Sequence, residues 1–381
     1  MCACLVVLCQ IVTATCASAE TGISYAPIAR SLTLSTTPLQ ALVGDALPPA
    51  ATRYVDGISD QSLPSWDGSF PGGYFAGFFH DTWADGGLSS HIALARYVVQ
   101  WNVMSGAYPE YRAELESWYA DVLELGLTPE VSLASYDGVM PRSAMEYQIR
   151  LQALLGRFTA IRYLEAWDEP NHTAKLTAVA AAGYTNSAYS LCQTHGCTVI
   201  AGNFLDSQSN MISYERAYER ALHPATLPNW GIHPYAAVKT RNPSTVLAFK
   251  SNLPGGGAGK RIWFTEVGAY RCEATGRYEP RGERAQARDA SWLVNRLMPD
   301  IQPAHVFYYE FLFKDSRPPP CSRTDSDTAL YVPGGDPYAT DIPRAAASYI
   351  YDGHGASSAS AGGGARGSDR ALARPAPATT G

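Results

Sequence analysis

The apolar positions of this chain fall into short runs, separated by longer stretches in which apolar residues recur every three or four positions. Short runs rich in aromatic and β-branched residues are typical of buried strands, and the longer stretches are typical of amphipathic helices. The predicted strands are 74–81, 95–102, 128–136, 161–169, 197–205, 229–235, 261–268 and 305–313. The predicted helices are 109–125, 143–158, 173–193, 209–222, 243–253, 284–298 and 344–351.

Strands that alternate with helices predict an α/β fold in which a parallel sheet is connected by crossover helices. An open doubly wound sheet gives the same alternation, but the count of eight strands favours a closed (β/α)8 TIM barrel. A Gly-rich phosphate motif, which an open nucleotide-binding sheet would carry after its first strand, is absent here. In a TIM barrel the reactive groups are expected at the carboxyl ends of the strands.

The remaining segments differ from this pattern. Residues 1–19 are apolar and end in Ala-Ser-Ala, as a cleaved signal peptide does, so a secreted protein is predicted. A lipid anchor on Cys16 is the less favoured alternative, since Thr13 stands where a large aliphatic residue is expected. Residues 20–70 are predicted to be an N-terminal extension, 71–355 the catalytic barrel and 356–381 a disordered tail.

Composition narrows the range of partners. The formal charge of −6 and the absence of a basic cluster argue against nucleic acid and anionic lipid. Beyond the N-terminal segment, no apolar run reaches the roughly 18 residues of a membrane span. We therefore expect a soluble mature protein, and a monomer is expected although nothing in the sequence indicates the oligomeric state. The 23 Tyr and 8 Trp residues would suit stacking on sugar rings as well as a plain aromatic core.

Four of the eight cysteines lie beyond the predicted signal peptide. An even number suits an oxidising compartment, and four cysteines allow three pairings. The favoured pairing is Cys192 with Cys197 and Cys272 with Cys321. A zinc site is the alternative, but these cysteines lack C-x-x-C spacing.

Polar residues end several predicted strands. Asp168 and Glu169 end the fourth strand, Glu266 the seventh, and His233 the sixth. Strand alternation gives Glu266 the same face as Ile262 and Phe264, a face expected to point into the barrel. A single Glu at such a position could simply form a loop salt bridge, but two carboxylates across one barrel mouth suit hydrolysis of a glycosidic bond. One must be protonated and the other ionised, and neighbouring charges can separate these roles without a metal.

Two of these segments resemble a known family. The segment YLEAWDEPNH resembles the Asn-Glu-Pro signature of the clan A (4/7 superfamily) glycoside hydrolases, and RIWFTEVGAY resembles the nucleophile strand of the same clan. The resemblance spans about residues 74–352. It implies a retaining glycosidase that uses double displacement, with Glu169 as acid/base and Glu266 as nucleophile, roughly 5 Å apart.

The resemblance also implies roles for other residues. Arg96 matches an Arg below the nucleophile that keeps it ionised, although pairing with a buried acid such as Glu165 is an equal alternative. His233 and Tyr235 match the sixth-strand position that contacts the nucleophile or the sugar. Trp101 and Asn102, at the end of the second strand, are further candidates for sugar contact, with barrel packing as the default reading of the Trp.

The chain departs from the clan pattern at two positions. Asp168 stands where an Asn normally bonds the sugar 2-hydroxyl. Its charge is expected to raise the pKa of Glu169 and favour an acidic optimum, or else to signal an altered substrate or weakened activity. On the eighth strand, Tyr309 is the stand-in for the usual Trp platform.

Two other functional classes remain open. A non-catalytic carbohydrate-binding protein on a degenerate barrel is motivated by these departures. A metal-dependent barrel hydrolase would use His80, Asp81 and His91 with Asp137 or Asp206, but this set has no recognised ligand spacing. We therefore predict no metal and no cofactor, and a carbohydrate as the substrate.

Overall fold

In the computed structural model, eight parallel strands close into a barrel. The structure describes residues 55–59, 92–173, 176–223, 227–274, 278–280, 282–309, 331–332, 342–343 and 350. The barrel strands are β1 (Gly57–Ser59), β2 (Leu94–Gln100), β3 (Thr128–Ala134), β4 (Tyr163–Glu165), β5 (Thr198–Leu205), β6 (Asn229–His233), β7 (Arg261–Val267) and β10 (His305–Tyr309). Around the barrel each strand pairs with its neighbour in chain order, and β10 pairs with β1. The predicted TIM barrel is confirmed.

Helices connect the strands and shorter elements complete the described chain. The helices are α1 (Pro109–Glu124), α2 (Ala144–Arg157), α3 (Ala178–His195), α4 (Met211–Ala221), α5 (Tyr235–Thr240), α6 (Ser244–Asn252), α7 (Glu283–Trp292) and α8 (Met298–Ile301). A 3-10 turn covers Val103–Ser105 and a π-helical turn covers Leu293–Leu297. The pairs β8 (Cys272–Ala274) with β9 (Tyr278–Pro280) and β11 (Tyr331–Val332) with β12 (Ile342–Pro343) are antiparallel. In this part of the chain no helix is long and apolar enough to cross a membrane.

Local sequence signals explain where the helices begin and end. Ser143 precedes α2 and its hydroxyl accepts the backbone N–H of Glu146 at 3.1 Å, as an N-cap does. The Glu146 carboxylate reaches back to the backbone N–H of Arg142 at 2.8 Å. At the end of α3, Gly196 adopts the left-handed conformation that terminates many helices.

The barrel interior has two layers of different character. The lower layer is apolar and packs Leu94, Ile200, Trp263 and Phe307 together, with Tyr163 beside them. The layer above it is polar and buried, and it contains Arg96, Glu130, Glu165, Asn203 and Thr265. This buried polar layer forms the floor of the barrel mouth.

The first strand differs from its prediction. Strand β1 is Gly57–Ser59, inside the segment 20–70 that was expected to be an extension, so the barrel begins before residue 71. Three residues are too few to show a period along the sequence. Asp56 secures this strand, because its backbone carbonyl accepts from Ala93 and Leu94 and its carboxylate accepts the backbone N–H of Val306 at 2.8 Å. The predicted strand 74–81 lies outside the described residues.

One predicted disulfide is confirmed. Cys192, near the end of α3, bonds Cys197 just before β5, with Cα atoms 4.6 Å apart. The side chains of Cys272 and Cys321 lie outside what the structure describes, so that pairing stays a prediction. The same holds for the segments 1–19 and 356–381 and, apart from Ile350, for the helix predicted at 344–351.

Candidate active site

Glu169 lies in the turn after β4, in a backbone conformation that residues other than glycine rarely adopt, with φ at +41°. Such strain costs on the order of 1–3 kcal/mol and persists only where surrounding contacts hold it. The Glu169 carbonyl accepts the backbone N–H groups of His172 at 2.9 Å and Thr173 at 3.1 Å. The Asn171 amide bonds both backbone groups of Leu205 on β5, at 2.9 Å each. These contacts fix the position of the Glu169 carboxylate.

Two imidazole rings contact this carboxylate. Oε1 of Glu169 lies 3.0 Å from Nδ1 of His233, and Oε2 lies 3.1 Å from Nδ1 of His172. Burial alone would raise the pKa of Glu169, but the hydrogen bonds and charges of the two histidines outweigh burial and lower it to about 2. The pKa shift therefore runs opposite to the rise that was expected from the neighbouring Asp168.

His233 holds the proton that Glu169 gives up. Its side chain is fully buried, whereas that of His172 is 58 % exposed. Burial acts to lower the pKa of His233, yet the carboxylates of Glu266 and Glu169 raise it to about 9. At neutral pH the pair of His233 and Glu169 is thus an imidazolium hydrogen-bonded to a carboxylate, and the proton lies one hydrogen bond from the Glu169 oxygen.

Glu266 reaches the barrel mouth because β7 carries an extra residue. Val306 of β10 pairs with Phe264, but Tyr308 pairs with Val267, so three steps along β7 match two along β10. This β-bulge changes the alternation of side chains near the end of the strand. It turns Glu266 toward the mouth.

The sequence predicted that Glu266 shares an inward face with Ile262 and Phe264, and this prediction is wrong because of the same β-bulge. Ile262 and Phe264 pack in the outer core beneath the helices, whereas Trp263 packs inside the barrel. Strict alternation from Trp263 would direct Thr265 inward and Glu266 outward. Thr265 is indeed buried and bonds Asn203, and only the bulge lets Glu266 also face the interior.

Two donors contact the Glu266 carboxylate. Arg96 donates from an η nitrogen to Oε2 at 2.7 Å, and the Tyr235 hydroxyl donates to Oε1 at 2.7 Å. Tyr235 begins α5, and the Asp206 carboxylate caps that helix by accepting the backbone N–H groups of Ala236 and Ala237 at 2.7 and 2.8 Å. Both donors are buried, and their charge-assisted hydrogen bonds fix the orientation of the Glu266 carboxylate.

The two carboxylates lie close together. An oxygen of Glu169, an oxygen of Glu266 and a ring nitrogen of His233 are all within 4.8 Å of one another. The donors differ on the two sides, since Glu169 is held by imidazoles and Glu266 by a guanidinium and a phenol. One carboxylate therefore lies next to the proton of an imidazole, and the other accepts from two fixed donors.

Arg96 is the centre of the buried charges. It donates to both oxygens of Glu165 at 3.1 and 2.8 Å, to Asp168 at 2.5 Å and to the Ser59 hydroxyl at 3.0 Å, besides Glu266. Burial acts to lower the pKa of Arg96, but the charges of Glu165, Asp168 and Glu266 raise it well above its usual value. Both interpretations of Arg96 from the sequence therefore apply, because it pairs with the buried acid Glu165 and also contacts Glu266.

Asp168 shares this guanidinium but makes only one bond to it. Burial and the charges of Glu266 and Glu169 raise the pKa of Asp168 to about 7, and Arg96 offsets only part of that rise. Its side chain is 20 % exposed at the mouth. Below about pH 7 Asp168 therefore carries a proton and can donate a hydrogen bond, as the amide of an Asn would.

The remaining predicted site residues lie in different surroundings. Trp101 is 4 % exposed in the core, and its indole N–H donates to the Val139 carbonyl at 2.7 Å, so it is not presented to a ligand in the mouth. Asn102 accepts from the Gln100 amide at 2.9 Å. Tyr309, at the end of β10, lies near enough to Tyr235 to raise the pKa of its phenol, an effect that follows burial and Glu266 in size.

Sequence reasoning missed two residues at the mouth. His172 contacts Glu169 from three positions along the chain, and it is the last residue of the motif that identified Glu169. Tyr136 follows β3 and is 45 % exposed. The spacing of His172 was visible in the sequence, whereas nothing in the pattern distinguished Tyr136 from the other 22 tyrosines.

Two groups of side chains in the described part of the chain have the spacing of metal ligands. They are Glu165, Asp168 and His233, and Glu169, His233 and Glu266. Both contain His233, whose Nδ1 already bonds Glu169, and Arg96 contacts carboxylates of both groups. The guanidinium thus supplies the positive charge that a metal would bring. The sequence also suggested a metal set of His80, Asp81 and His91 with Asp137 or Asp206. Asp206 caps α5 and Asp137 accepts from Ser135. The other three residues lie outside the described part of the chain.

Comparisons with known proteins show the fold. Neither a protein-family model nor a curated protein matches the sequence. Among solved structures, GH5_18 from Streptomyces cattleya in complex with Manβ1-4GlcNAc superposes with a TM-score of 0.55 at 13 % identity, covering 78 % of this chain and 79 % of that one. The same protein in complex with GlcNAc gives 0.52 at 12 % identity, covering 79 % and 80 %. The β-glucuronidase from Ruminococcus gnavus gives 0.50 at 13 % identity, covering 78 % and 48 %. This chain therefore has the TIM-barrel fold found in clan A glycoside hydrolases.

Proposed function

We propose that this protein is a retaining glycoside hydrolase that cleaves O-glycosidic bonds of a polysaccharide or glycoconjugate by double displacement. The observation that carries the proposal is the approach of Glu169 and Glu266 within 4.8 Å, with imidazole donors on one and a guanidinium and a phenol on the other. Retaining glycosidases use carboxyl groups about 5 Å apart, whereas inverting enzymes need more room for a water molecule.

In the first half of the reaction, Glu266 attacks the anomeric carbon and the leaving oxygen takes a proton from Glu169. Arg96 and Tyr235 each donate a hydrogen bond to the Glu266 carboxylate and fix its orientation. Glu169 receives its proton through the 3.0 Å hydrogen bond from His233. As Glu266 becomes an ester it loses its charge, and this removes one of the two carboxylates that hold the proton on His233.

In the second half, Glu169 acts as a base. Its low pKa suits this step, since an ionised carboxylate must accept a proton from the water that attacks the glycosyl ester. The water adds to the anomeric carbon, the bond to Glu266 breaks, and the proton returns to the pair of Glu169 and His233. The sugar leaves with its original anomeric configuration.

We propose in addition that the mature chain is secreted. Two observations support it: the apolar segment 1–19 with its Ala-Ser-Ala end, and the Cys192–Cys197 disulfide, which is typical of an oxidising compartment.

The test is hydrolysis of aryl glycosides and polysaccharides, with the first product anomers followed by NMR. We expect release of sugar with retention and no change on adding a chelator, because Arg96 supplies the positive charge at the site. Inversion would contradict the double displacement, and loss of activity in chelator would favour a metal-dependent hydrolase. If the protein bound sugars and hydrolysed none, the carbohydrate-binding alternative would replace the proposal.

Asp168 gives a pH prediction for this enzyme. Its pKa of about 7 means that the carboxyl is protonated below that pH and ionised above it. An ionised Asp168 adds negative charge beside Glu266 and can no longer donate to the sugar. We expect kcat/KM to fall as pH rises through about 7, and we expect Asp168→Asn to remove that fall, because an amide donates at every pH.

The measurement uses an aryl glycoside with an activated leaving group, so that the Glu169 proton does not limit the rate. The titration of His233 would produce a change near pH 9 instead and is thereby distinguished. If kcat/KM of the Asp168→Asn variant still fell near pH 7, the fall would belong to the titration of another group.

A further inference from the structure

Tyr136 presents an aromatic ring at the mouth of the barrel and is held firmly in place. It follows β3, and the residue is 45 % exposed. Its hydroxyl donates to the Val98 carbonyl on β2 at 2.5 Å, and its backbone N–H donates to the Gln100 side chain at 2.7 Å. These two bonds fix the residue at its hydroxyl and at its backbone.

Two further tyrosines pack in sequence beside the ring. Tyr111 of α1 packs edge-on against Tyr136, with ring centroids 5.5 Å apart. Tyr108 stacks on Tyr111 at 5.9 Å, and its hydroxyl donates to the carboxylate of Asp137, the residue that follows Tyr136. The ring therefore loses little conformational freedom when a ligand binds, which is what pre-organisation contributes to affinity.

The ring adjoins the catalytic pair. The backbone N–H of Asp168 donates to the carbonyl of Leu133 on β3 at 2.8 Å, so the loops after β3 and β4 leave the barrel side by side. Burial raises the pKa of the Tyr136 phenol, and among the smaller contributions are the charges of Asp168 and Arg96. Tyr136 thus borders the mouth on the side of β2 and β3, next to the residues that flank Glu169.

We infer that Tyr136 is the stacking platform of a sugar-binding subsite that adjoins the catalytic pair and takes a second ring of the same substrate. The inference rests on the proposed glycosidase function. The apolar faces of sugar rings pack on aromatic rings, and polar side chains adjoin the Tyr136 backbone. Asp137 follows it in the chain, and Gln100, which accepts its N–H, donates to Asn102. The substrate class is then an oligosaccharide or polysaccharide rather than the glycoside of a single sugar.

The test compares three variants on short and long substrates of the same sugar. Tyr136→Ala removes the platform, and Tyr136→Phe keeps the ring but loses the bond to Val98. Tyr189→Ala, on α3, controls for the loss of a tyrosine elsewhere. We expect Tyr136→Ala to lower kcat/KM for an aryl trisaccharide glycoside by roughly ten-fold while leaving the aryl monosaccharide glycoside nearly unchanged. Tyr136→Phe should stay within about two-fold of the wild type on both.

An equal loss on both substrates, or no loss on either, would overturn the inference while leaving the glycosidase function intact. Absence of any hydrolysis by the wild type would instead count against the proposed function. In that case calorimetric titration of the Glu266→Gln variant with laminaritriose, cellotriose, xylotriose and mannotriose still tests the subsite. Binding of one trisaccharide that weakens with Tyr136→Ala supports it, and binding that does not weaken, or no binding at all, overturns it.

Discussion

Glu266→Ala is expected to abolish hydrolysis, with kcat/KM falling on the order of 10⁵-fold, the size of loss seen when a covalent nucleophile is removed. The guanidinium of Arg96 and the phenol of Tyr235 would remain, but neither can form the glycosyl ester. Activity on an aryl glycoside and on the natural polymer should fall alike, because both reactions pass through that ester. The measurement is initial rate at several pH values, so that a shifted optimum is not mistaken for a loss.

Glu169→Ala is expected to behave differently, and the difference identifies the two roles. Loss of a general acid costs about 10²–10⁴-fold where the leaving group needs a proton, and much less where the leaving group is already acidic. Glu110→Ala, an exposed position on α1, is the matched control and should retain full activity. If Glu169→Ala lowered kcat/KM equally on activated and unactivated substrates, the assignment of Glu169 as the general acid would be contradicted.

Arg96→Met is expected to lower the free energy of unfolding by about 3–5 kcal/mol, because a buried cation that compensates several acids is removed. Glu165, which accepts from Arg96 at both of its oxygens, would lose the cation that offsets its buried charge. Activity should be lost too, since Glu266 loses a donor at 2.7 Å. Urea unfolding at pH 7 measures the stability, and the hydrolysis assay measures the activity.

A double variant separates the two consequences. In Arg96→Met with Glu165→Gln the uncompensated charge is gone, so the free energy of unfolding should recover by more than about 1 kcal/mol relative to the single variant. Activity should stay lost in both. A double variant as unstable as the single one would show that packing of the Arg side chain, and not charge compensation, stabilises the barrel.

Most of the barrel was predictable because its strands and helices carry strong periodic signals. Strands β3, β5, β6 and β7 lie within a few residues of their predicted bounds. Helix α1 begins at a proline and α2 follows the N-cap Ser143, close to where the apolar periods indicate. Strand β1 was not predictable in this way, since Gly57–Ser59 is too short for a period. Its position depends on hydrogen bonds from Asp56 to residues far along the chain, which a local pattern cannot contain.

The candidate site was predictable in its chemistry but not in its geometry. The motifs identified Glu169 and Glu266, yet alternation gave the wrong face for Glu266, because the bulge in β7 depends on pairing with β10. The direction of the Glu169 pKa shift was also missed. Charges near in sequence suggested repulsion by Asp168, whereas the imidazole of His233, 64 positions away, prevails together with that of His172.

In the proposed mechanism Glu266 forms a covalent bond to the sugar. The most direct measurement is to incubate the protein with the activated 2-deoxy-2-fluoro glycoside of a sugar that it hydrolyses, and then to map the labelled peptide by mass spectrometry. We expect one sugar per chain on Glu266 and no label in Glu266→Ala. Steady turnover without any label, or a label on Glu169 or Asp168, would contradict it.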